Sequence, residues 1–215
     1  VIQLLPFDLT NAQIRVIDEI REDMSQPFRM NRLLQGDVGS GKTLIAFLCM
    51  LSAIEAGGQA VIMAPTEILT KQHEDTLKPL AAKAGIILES LSGRDKGKER
   101  KFKIEAIAAG KIQIIVGTHA VIQESIKYKD LRLAIIDEQH RFGVRQRMDL
   151  GNKGNAVDIL VMTATPIPRS LALTNYGDME LSELDEKPIG RKPINTVMVS
   201  SSRIFEVIER LKAAI

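Results

Sequence analysis

The sequence predicts an α/β fold in which a parallel β-sheet is sandwiched between helices. Two observations lead to this class: apolar runs alternate with longer amphipathic stretches, and several of the runs are continuous in Ile, Val and Leu. Continuous apolar runs are typical of parallel strands covered on both faces, and strands alternating with helices build a parallel sheet. With 215 residues, 45% of them hydrophobic, the chain can bury one substantial core.

Each predicted strand is a short apolar run, and each predicted helix is an amphipathic stretch between two runs. The strands are expected at Arg32–Gln35, Ala60–Ala64, Ile86–Ser90, Ile112–Gly117, Leu133–Asp137 and Ile159–Thr163. The helices are expected at Asn11–Met24, Lys42–Ala56, Glu67–Ala84 and Gly97–Ala109. Thr66 precedes the third helix and can cap its first turn.

The last part of the chain has a different character. Pro188, Gly190 and Pro193 mark a turn-rich segment, which is typical of a domain edge or linker. A strand at Asn195–Val199 and an amphipathic helix at Arg203–Ala214 are expected after it. We therefore expect residues 1–193 to form one domain, and residues 194–215 to be a linker and the start of a second domain in a longer protein.

Composition excludes several classes of protein. The single cysteine, Cys49, excludes an intramolecular disulfide and indicates a reducing, cytoplasmic location. No stretch approaches the roughly 20 apolar residues that cross a bilayer, so no membrane partner is expected. The net charge of +2 does not by itself indicate nucleic-acid binding.

A glycine-rich loop follows the first predicted strand and satisfies the G-x-x-x-x-G-K-[ST] pattern. Glycines let the backbone turn tightly and present N–H groups to phosphate oxygens, and the following helix directs its positive end at the same charge. Lys42 is expected to reach the β- and γ-phosphates of ATP, and Thr43 to bind Mg²⁺. The loop residues are Gly36, Asp37, Val38, Gly39, Ser40, Gly41, Lys42 and Thr43.

Two acids follow the fifth predicted strand. Asp137 and Glu138 lie where parallel strands open onto the ligand crevice of an α/β sheet. Asp137 is expected to hold Mg²⁺ and Glu138 to activate the attacking water as general base. Alone, an apolar run followed by Asp-Glu is more often a solvated strand end. Together with the phosphate loop it predicts an ATP-hydrolysing site.

Several motifs, in their order along the chain, resemble those of superfamily 2 helicases. Asp137-Glu-Gln-His140 is similar to the DExH box, Ala64-Pro-Thr-Glu67 to motif Ia, Gly117-Thr-His-Ala120 to motif Ib, and Thr163-Ala-Thr165 to motif III. Leu9-Thr-Asn-Ala-Gln13 resembles the Q motif, which implies that Gln13 reads adenine. The resemblance implies a RecA-like fold with ATP and Mg²⁺ as cofactors.

The same resemblance assigns the remaining site residues. Residues implied to couple the nucleotide site to DNA are Gln139, His140, Thr163 and Thr165. The catalytic residues are expected to be Lys42, Asp137, Glu138 and His140. Contacts with the DNA backbone are implied for Pro65, Thr66, Glu67, Gly93, Gly117, Thr118, His119, Arg141 and Arg145. A loop role for His119 and a solvated helix face for the arginines stay open. Ser92-Gly93-Arg94 departs from the usual Thr-Gly-Ser. His73 is expected to have no role.

Three longer runs narrow the resemblance to the RecG family of bacterial branched-DNA translocases. They are Asp137-Glu-Gln-His-Arg-Phe-Gly-Val144, Thr163-Ala-Thr-Pro-Ile-Pro-Arg169 and Tyr176-Gly-Asp178. This family implies duplex, fork and Holliday-junction substrates, an N-terminal wedge domain and a second RecA-like domain that supplies arginines to the ATP site. The transcription-repair coupling factor family is the alternative. A P-loop kinase and a degenerate, non-enzymatic scaffold are disfavoured by the intact helicase motifs.

Overall fold

The computed structural model describes residues 8–138, 149–154, 156–165, 179–186 and 196–214. The helices are α1 (Asn11–Met24), α2 (Lys42–Glu55), α3 (Glu67–Lys83), α4 (Gly97–Ala108) and α5 (Ile204–Ala214). The strands are β1 (Asn31–Gly36), β2 (Gln59–Met63), β3 (Leu88–Leu91), β4 (Ile114–Gly117), β5 (Leu131–Asp137), β6 (Asp158–Thr163) and β7 (Glu180–Leu184). Short 3₁₀ turns lie at His119–Ile122 and Ser201–Arg203.

The seven strands form one sheet in the order β3-β4-β2-β5-β6-β1-β7, and every pairing in it is parallel. The predicted α/β class with a parallel sheet is therefore confirmed. Because all strands run in one direction, their carboxyl ends meet along one edge of the sheet. Loops that are far apart in sequence are gathered at this carboxyl edge.

The core has two layers of side chains, one on each face of the sheet. Phe47 of α2 and Ile135 of β5 belong to the layer beneath α1, α2 and α3. Ile136, the next residue of β5, belongs to the opposite layer with Ile107 of α4. Consecutive strand residues point to opposite faces, and both faces are covered, so the apolar runs are continuous rather than alternating.

The six predicted strands and four predicted helices are all present, with small shifts at their ends. β3 begins at Leu88 rather than Ile86, and β4 begins at Ile114 rather than Ile112. Just before these strands, the Gln113 side chain accepts a hydrogen bond from the Ile87 N–H, in place of a backbone carbonyl. Thr66 caps α3 as expected, because its hydroxyl accepts from the Leu69 N–H at 3.3 Å.

The sequence prediction missed β7, the edge strand beside β1. Its sequence, Glu-Leu-Ser-Glu-Leu, has acids at two of five positions and no continuous apolar run. β7 is nevertheless anchored: Ser182 donates to Glu19 of α1 and accepts from Arg32 of β1. A search for apolar runs does not detect a strand that is held by polar side chains.

The end of the chain differs in part from the prediction. The strand predicted at Asn195–Val199 is wrong for its described residues, because 196–199 form no strand. These residues are largely exposed and pair with no strand of the sheet, and an extended segment needs a partner to complete its hydrogen bonds. The predicted helix is present as α5, and its side chains from 204 to 213 are exposed. The predicted linker at Pro188–Pro193 lies outside the described residues.

Candidate functional site

The phosphate loop connects β1 to α2 at the carboxyl edge. Gly39 and Gly41 have φ angles of 76° and 98°, in the region that favours glycine. A Cβ on Gly41 would also collide with the side-chain amide of Gln13. Gly41, which the pattern requires, therefore serves both the turn and a close approach by α1.

Gln13 ties the first turn of α1 to the phosphate loop. Its backbone N–H donates to the Thr10 hydroxyl, and its Oε1 accepts from the Thr10 N–H, which completes a capping box. Its Nε2 donates to the Ser40 carbonyl at 2.8 Å. Gln13 is only 3% exposed. The structure therefore places it against the loop, and its contact with adenine stays a prediction.

Lys42 begins α2 and turns back onto its own loop. Its Nζ donates to the carbonyls of Gly36 at 2.6 Å and Asp37 at 3.0 Å. Burial lowers the pKa of Lys42, while the nearby charges of Glu138, Asp137 and Asp37 oppose that shift. The lysine and the two predicted catalytic acids thus share one electrostatic environment.

The loop has the chemistry that a bound phosphate requires. Among the described residues, the Ser40 hydroxyl is a buried side-chain group with no hydrogen-bond partner. A buried polar group without a partner is costly, and phosphate oxygens would supply one. Together with the glycine backbone, Lys42 and the start of α2, these groups fit the phosphates of a nucleotide.

Asp137 is the last residue of β5, and Glu138 follows it with a φ of 52°. Left-handed backbone at a non-glycine residue costs about 1–3 kcal/mol and is concentrated at functional sites. The Glu138 N–H donates to the Met162 carbonyl of β6 at 3.0 Å, which holds this conformation. Asp137 is 8% exposed as a residue, and Oδ2 of its carboxylate lies 2.7 Å from Nε2 of His73 on α3.

Thr163 and Thr165 are at the end of β6. The two hydroxyls lie 2.9 Å apart, and the Thr165 N–H donates to the Thr163 hydroxyl. Sheet register pairs Thr163 with Gln35 of β1, one residue before the phosphate loop. β6 therefore stands between the acids of β5 and the phosphate loop. We call this cluster, at the ends of β1, β5 and β6, the nucleotide half of the carboxyl edge.

The other half is formed by the loops that follow β2, β3 and β4. The Ala64 N–H donates to the Gly117 carbonyl at 2.8 Å, which joins the two predicted DNA-contacting motifs. Gly117 also packs so closely against the Leu91 carbonyl that a Cβ would not fit there. We call residues 64–67, 92–94 and 117–119 the loop half. The predicted contacts Pro65, Thr66, Glu67, Gly93, Gly117, Thr118 and His119 all lie in it.

Arg94 occupies the position where the sequence departs from the helicase pattern. Its side chain is 84% exposed and forms an ion pair with Glu67 across the loop half. The Ser92–Gly93–Arg94 turn is held by Asp95, which accepts from the Ser92 N–H and pairs with Lys103 of α4. The departure thus leaves an ordered turn and adds an exposed cation to it.

Several predicted residues fall outside the described residues. They are Gln139, His140, Arg141 and Arg145. Sequence reasoning also missed two contacts that the structure contains. One is His73 against Asp137. The other is Glu186 after β7, which accepts from the Ala12 N–H at the start of α1.

The sequence matches the family model of the DEAD/DEAH box helicases over residues 10–174. The chain is 54% identical over 96% of its length to the ATP-dependent DNA helicase RecG of Bacillus subtilis. It is 50% identical over 98% of its length to RecG of Escherichia coli K12. The chain spans about 30% of these relatives' own length.

Solved structures agree with the sequence matches. RecG bound to a three-way DNA junction superposes with a TM-score of 0.87 at 48% identity, covering 98% of this chain and 28% of that one. A DEAD box protein from Methanococcus jannaschii matches the fold with a TM-score of 0.63 at 24% identity, covering 94% and 56%. The fold is therefore RecA-like, as in helicase motors. The chain belongs to the DEAD/DEAH box helicase family, and its similarity to RecG proteins extends over nearly its whole length.

Proposed function

We propose that this chain is the nucleotide-binding motor domain of a RecG-type DNA helicase. It couples ATP hydrolysis to movement on duplex DNA and to remodelling of forks and Holliday junctions in recombination and repair. The observation that carries the proposal is an intact nucleotide half in a chain that is similar along 96% of its length to an ATP-dependent DNA helicase RecG. The match to RecG bound to a three-way DNA junction supports branched DNA as the substrate.

On the nucleotide side, Gln13 reads adenine and the loop from Gly36 to Thr43 binds the phosphates. Lys42 exchanges the carbonyls of Gly36 and Asp37 for phosphate oxygens when ATP binds. Thr43 and Asp137 would hold Mg²⁺, which would supply positive charge against the phosphates. Glu138 accepts the proton of the attacking water.

On the DNA side, the loop half contacts the sugar-phosphate backbone. Thr66 accepts the capping bond from Leu69, so its own O–H is a donor that can be directed to a phosphate oxygen. Glu67 is paired with Arg94, which limits its repulsion of phosphates. Backbone contacts carry no sequence information. Because contacts with phosphates release counterions, DNA binding should fall steeply with salt. In this proposal Arg141 and Arg145 also contact DNA. Coupling to ATP is assigned to Gln139, His140, Thr163 and Thr165.

The motor needs partners from the same full-length protein. Residues 1–193 form the first RecA-like domain, and residues 194–215 form the linker and the start of the second. The exposed apolar side chains of α5, among them Phe205 and Leu211, support this division. The second domain supplies arginines, which typically raise phosphoryl-transfer rates about 10³–10⁵-fold, and a wedge domain separates strands. We therefore expect the isolated chain to bind ATP poorly and hydrolyse it slowly.

The full-length protein provides the test. ATP hydrolysis is measured without DNA and with single strands, plain duplex and a model fork. We expect the fork to stimulate most, and Lys42→Ala to abolish the stimulation. Equal stimulation by plain duplex would instead favour the transcription-repair coupling factor type of translocase. No response to any DNA would exclude a nucleic-acid motor.

The protein acts on DNA in the cytoplasm in this proposal. None of the described helices is long and apolar enough to span a bilayer.

Cys49 is buried in α2, and burial raises the pKa of its thiol to about 12, so this thiol is unreactive. The chain therefore contributes phosphoryl-transfer chemistry and no thiol chemistry.

A further inference from the structure

His73 lies within α3, and the sequence alone assigns it no role. It is 6% exposed, and its Nε2 lies 2.7 Å from Oδ2 of Asp137. The two residues are 64 positions apart in the sequence. The proposed magnesium ligand is thus hydrogen-bonded by a histidine of α3, a helix whose first residue lies in the loop half.

The direction of this hydrogen bond follows from elementary chemistry. A carboxylate offers only acceptors, so the ring Nε2 must carry the hydrogen and donate it. Oδ2 of Asp137 is therefore engaged by His73, and the orientation of the carboxylate plane is fixed. Hydrogen bonds to a metal-ligating carboxylate orient it, and losing such a partner typically costs about 10–100-fold in metal affinity.

The place of His73 along α3 links the proposed magnesium ligand to the loop half. α3 begins directly after Thr66, which belongs to the loop half, and is capped there by the Thr66 hydroxyl. His73 is the seventh residue of the helix, two turns from that cap. A rigid helix therefore joins the proposed DNA-contacting loop to the proposed magnesium ligand.

We propose that His73 is a positioning residue for Asp137: its Nε2–H fixes the carboxylate in the orientation that binds the magnesium of Mg·nucleotide. This inference rests on the proposed ATP-dependent function, since it assigns a further residue to the same site. His73 does not touch the nucleotide. It acts through Asp137 alone.

Two substitutions separate the hydrogen bond from the packing. The amide nitrogen of glutamine is four bonds from Cα, as is Nε2 of histidine, so His73→Gln can still donate to Asp137. The amide nitrogen of asparagine is three bonds from Cα, so His73→Asn falls short while keeping a polar side chain. Thr76→Ala, an exposed position of the same helix, is the control for changes in α3.

The readout is binding of a fluorescent ADP analogue to the full-length protein, titrated with Mg²⁺ and repeated in EDTA. In His73→Asn we expect the Mg²⁺ concentration for half-maximal binding to rise about 10–100-fold. His73→Gln and Thr76→Ala should remain close to wild type. Affinity in EDTA should not change in any variant, because the phosphate loop is untouched.

Thermal unfolding without Mg²⁺ checks that the variants fold. A folded His73→Asn with the wild-type Mg²⁺ requirement would overturn the inference. So would equal impairment of His73→Asn and His73→Gln, because that result would indicate that the ring packs rather than donates. If wild-type protein itself binds nucleotide without regard to Mg²⁺, the proposed role of Asp137 fails instead.

Discussion

The nucleotide half and the loop half of the carboxyl edge differ in how far their polar groups are buried. In the nucleotide half, Gln13, Ser40, Asp137 and Thr163 are each less than 10% exposed. In the loop half, Gly93, Arg94 and His119 are exposed. An enclosed site can fix a small ligand atom by atom, whereas an open, strand-end surface suits a long polymer that must slide. This difference in burial fits the proposed roles, a nucleotide site in one half and a DNA-contacting surface in the other.

Sheet order keeps the two halves apart and α3 joins them. The loop half follows β3, β4 and β2 at one end of the sheet, and the nucleotide half follows β5, β6 and β1. β2 and β5 are neighbours at the boundary. α3 packs against β3 and β4, and its His73 side chain reaches Asp137 at the end of β5. This helix therefore provides one direct contact between the two halves, from the Thr66 cap to Asp137.

The largest expected effect comes from Glu138→Gln, which tests the nucleotide half alone. Glutamine keeps the volume and hydrogen-bonding reach of the side chain but removes the base. Since general bases typically contribute about 10²–10⁴-fold, kcat for DNA-stimulated ATP hydrolysis in the full-length protein should fall by that factor. Nucleotide affinity should remain near wild type.

Glu55→Gln is the matched control, because Glu55 is exposed at the end of α2, away from the carboxyl edge. It should leave both kcat and nucleotide affinity unchanged. Wild-type turnover by Glu138→Gln would show that another group activates the water. The assignment of Glu138 as the base would then be wrong.

Gly41→Ala should have the next largest effect. At a φ of 98°, alanine is strained, and its Cβ would displace the Gln13 amide from the loop. Restoring the loop to its phosphate-binding conformation against this strain and collision would cost about 1–3 kcal/mol, or roughly 5–150-fold in affinity, which a nucleotide-binding titration would measure.

Gly57→Ala controls for backbone strain. Gly57 has a φ of 90°, but nothing lies within 4 Å of the position that a Cβ would occupy. We expect this variant to lose stability in thermal unfolding while keeping full nucleotide affinity. Equal loss of nucleotide binding in the two variants would mean that strain, not the contact with Gln13, is responsible.

Sequence predicted the parts of the site that are local and missed those that depend on tertiary contact. The phosphate loop and the Asp137–Glu138 pair are contiguous motifs next to apolar strands, so each is recognisable where it stands. The His73–Asp137 bond joins residues on different elements, and no local pattern reports it. The one available signal is spacing: Thr70, His73 and Leu77 form a buried helical stripe, which places the histidine inward.

A smaller effect is expected from Arg94→Ala, which tests the loop half alone. If Arg94 contacts a phosphate, its removal should reduce the log–log salt slope of DNA binding by about one. It also leaves Glu67 without its ion pair near the backbone. Nucleotide affinity should not change. Salt-dependent DNA binding of the full-length protein, followed by fluorescence anisotropy, provides the measurement.

Arg132→Ala is the matched control for Arg94→Ala. Arg132 is also an arginine paired with an acid, Asp130, but it is half-buried and lies near the start of β5, at the opposite edge of the sheet. Its loss should leave the salt slope unchanged. An equal reduction in both variants would indicate a general effect of net charge rather than a contact in the loop half.

The smallest effect is expected at the amino edge of the sheet, where neither half contributes. Burial raises the pKa of Asp158, at the start of β6, to about 6, although the Met30 N–H donates to it at 2.8 Å. Because the folded state holds this proton more tightly than the unfolded state, the free energy of unfolding should decrease as pH rises from about 4 to 6.

Asp158→Asn keeps an acceptor for the Met30 N–H without the buried charge. We expect it to stabilise the protein by about 1 kcal/mol at pH 7 and not at pH 4, in denaturant unfolding at both values. ATP turnover and DNA binding should stay at wild-type levels, because Asp158 lies away from the carboxyl edge, where the proposed nucleotide and DNA contacts are. A gain that persists at pH 4 would show that packing, not the charge of Asp158, accounts for it.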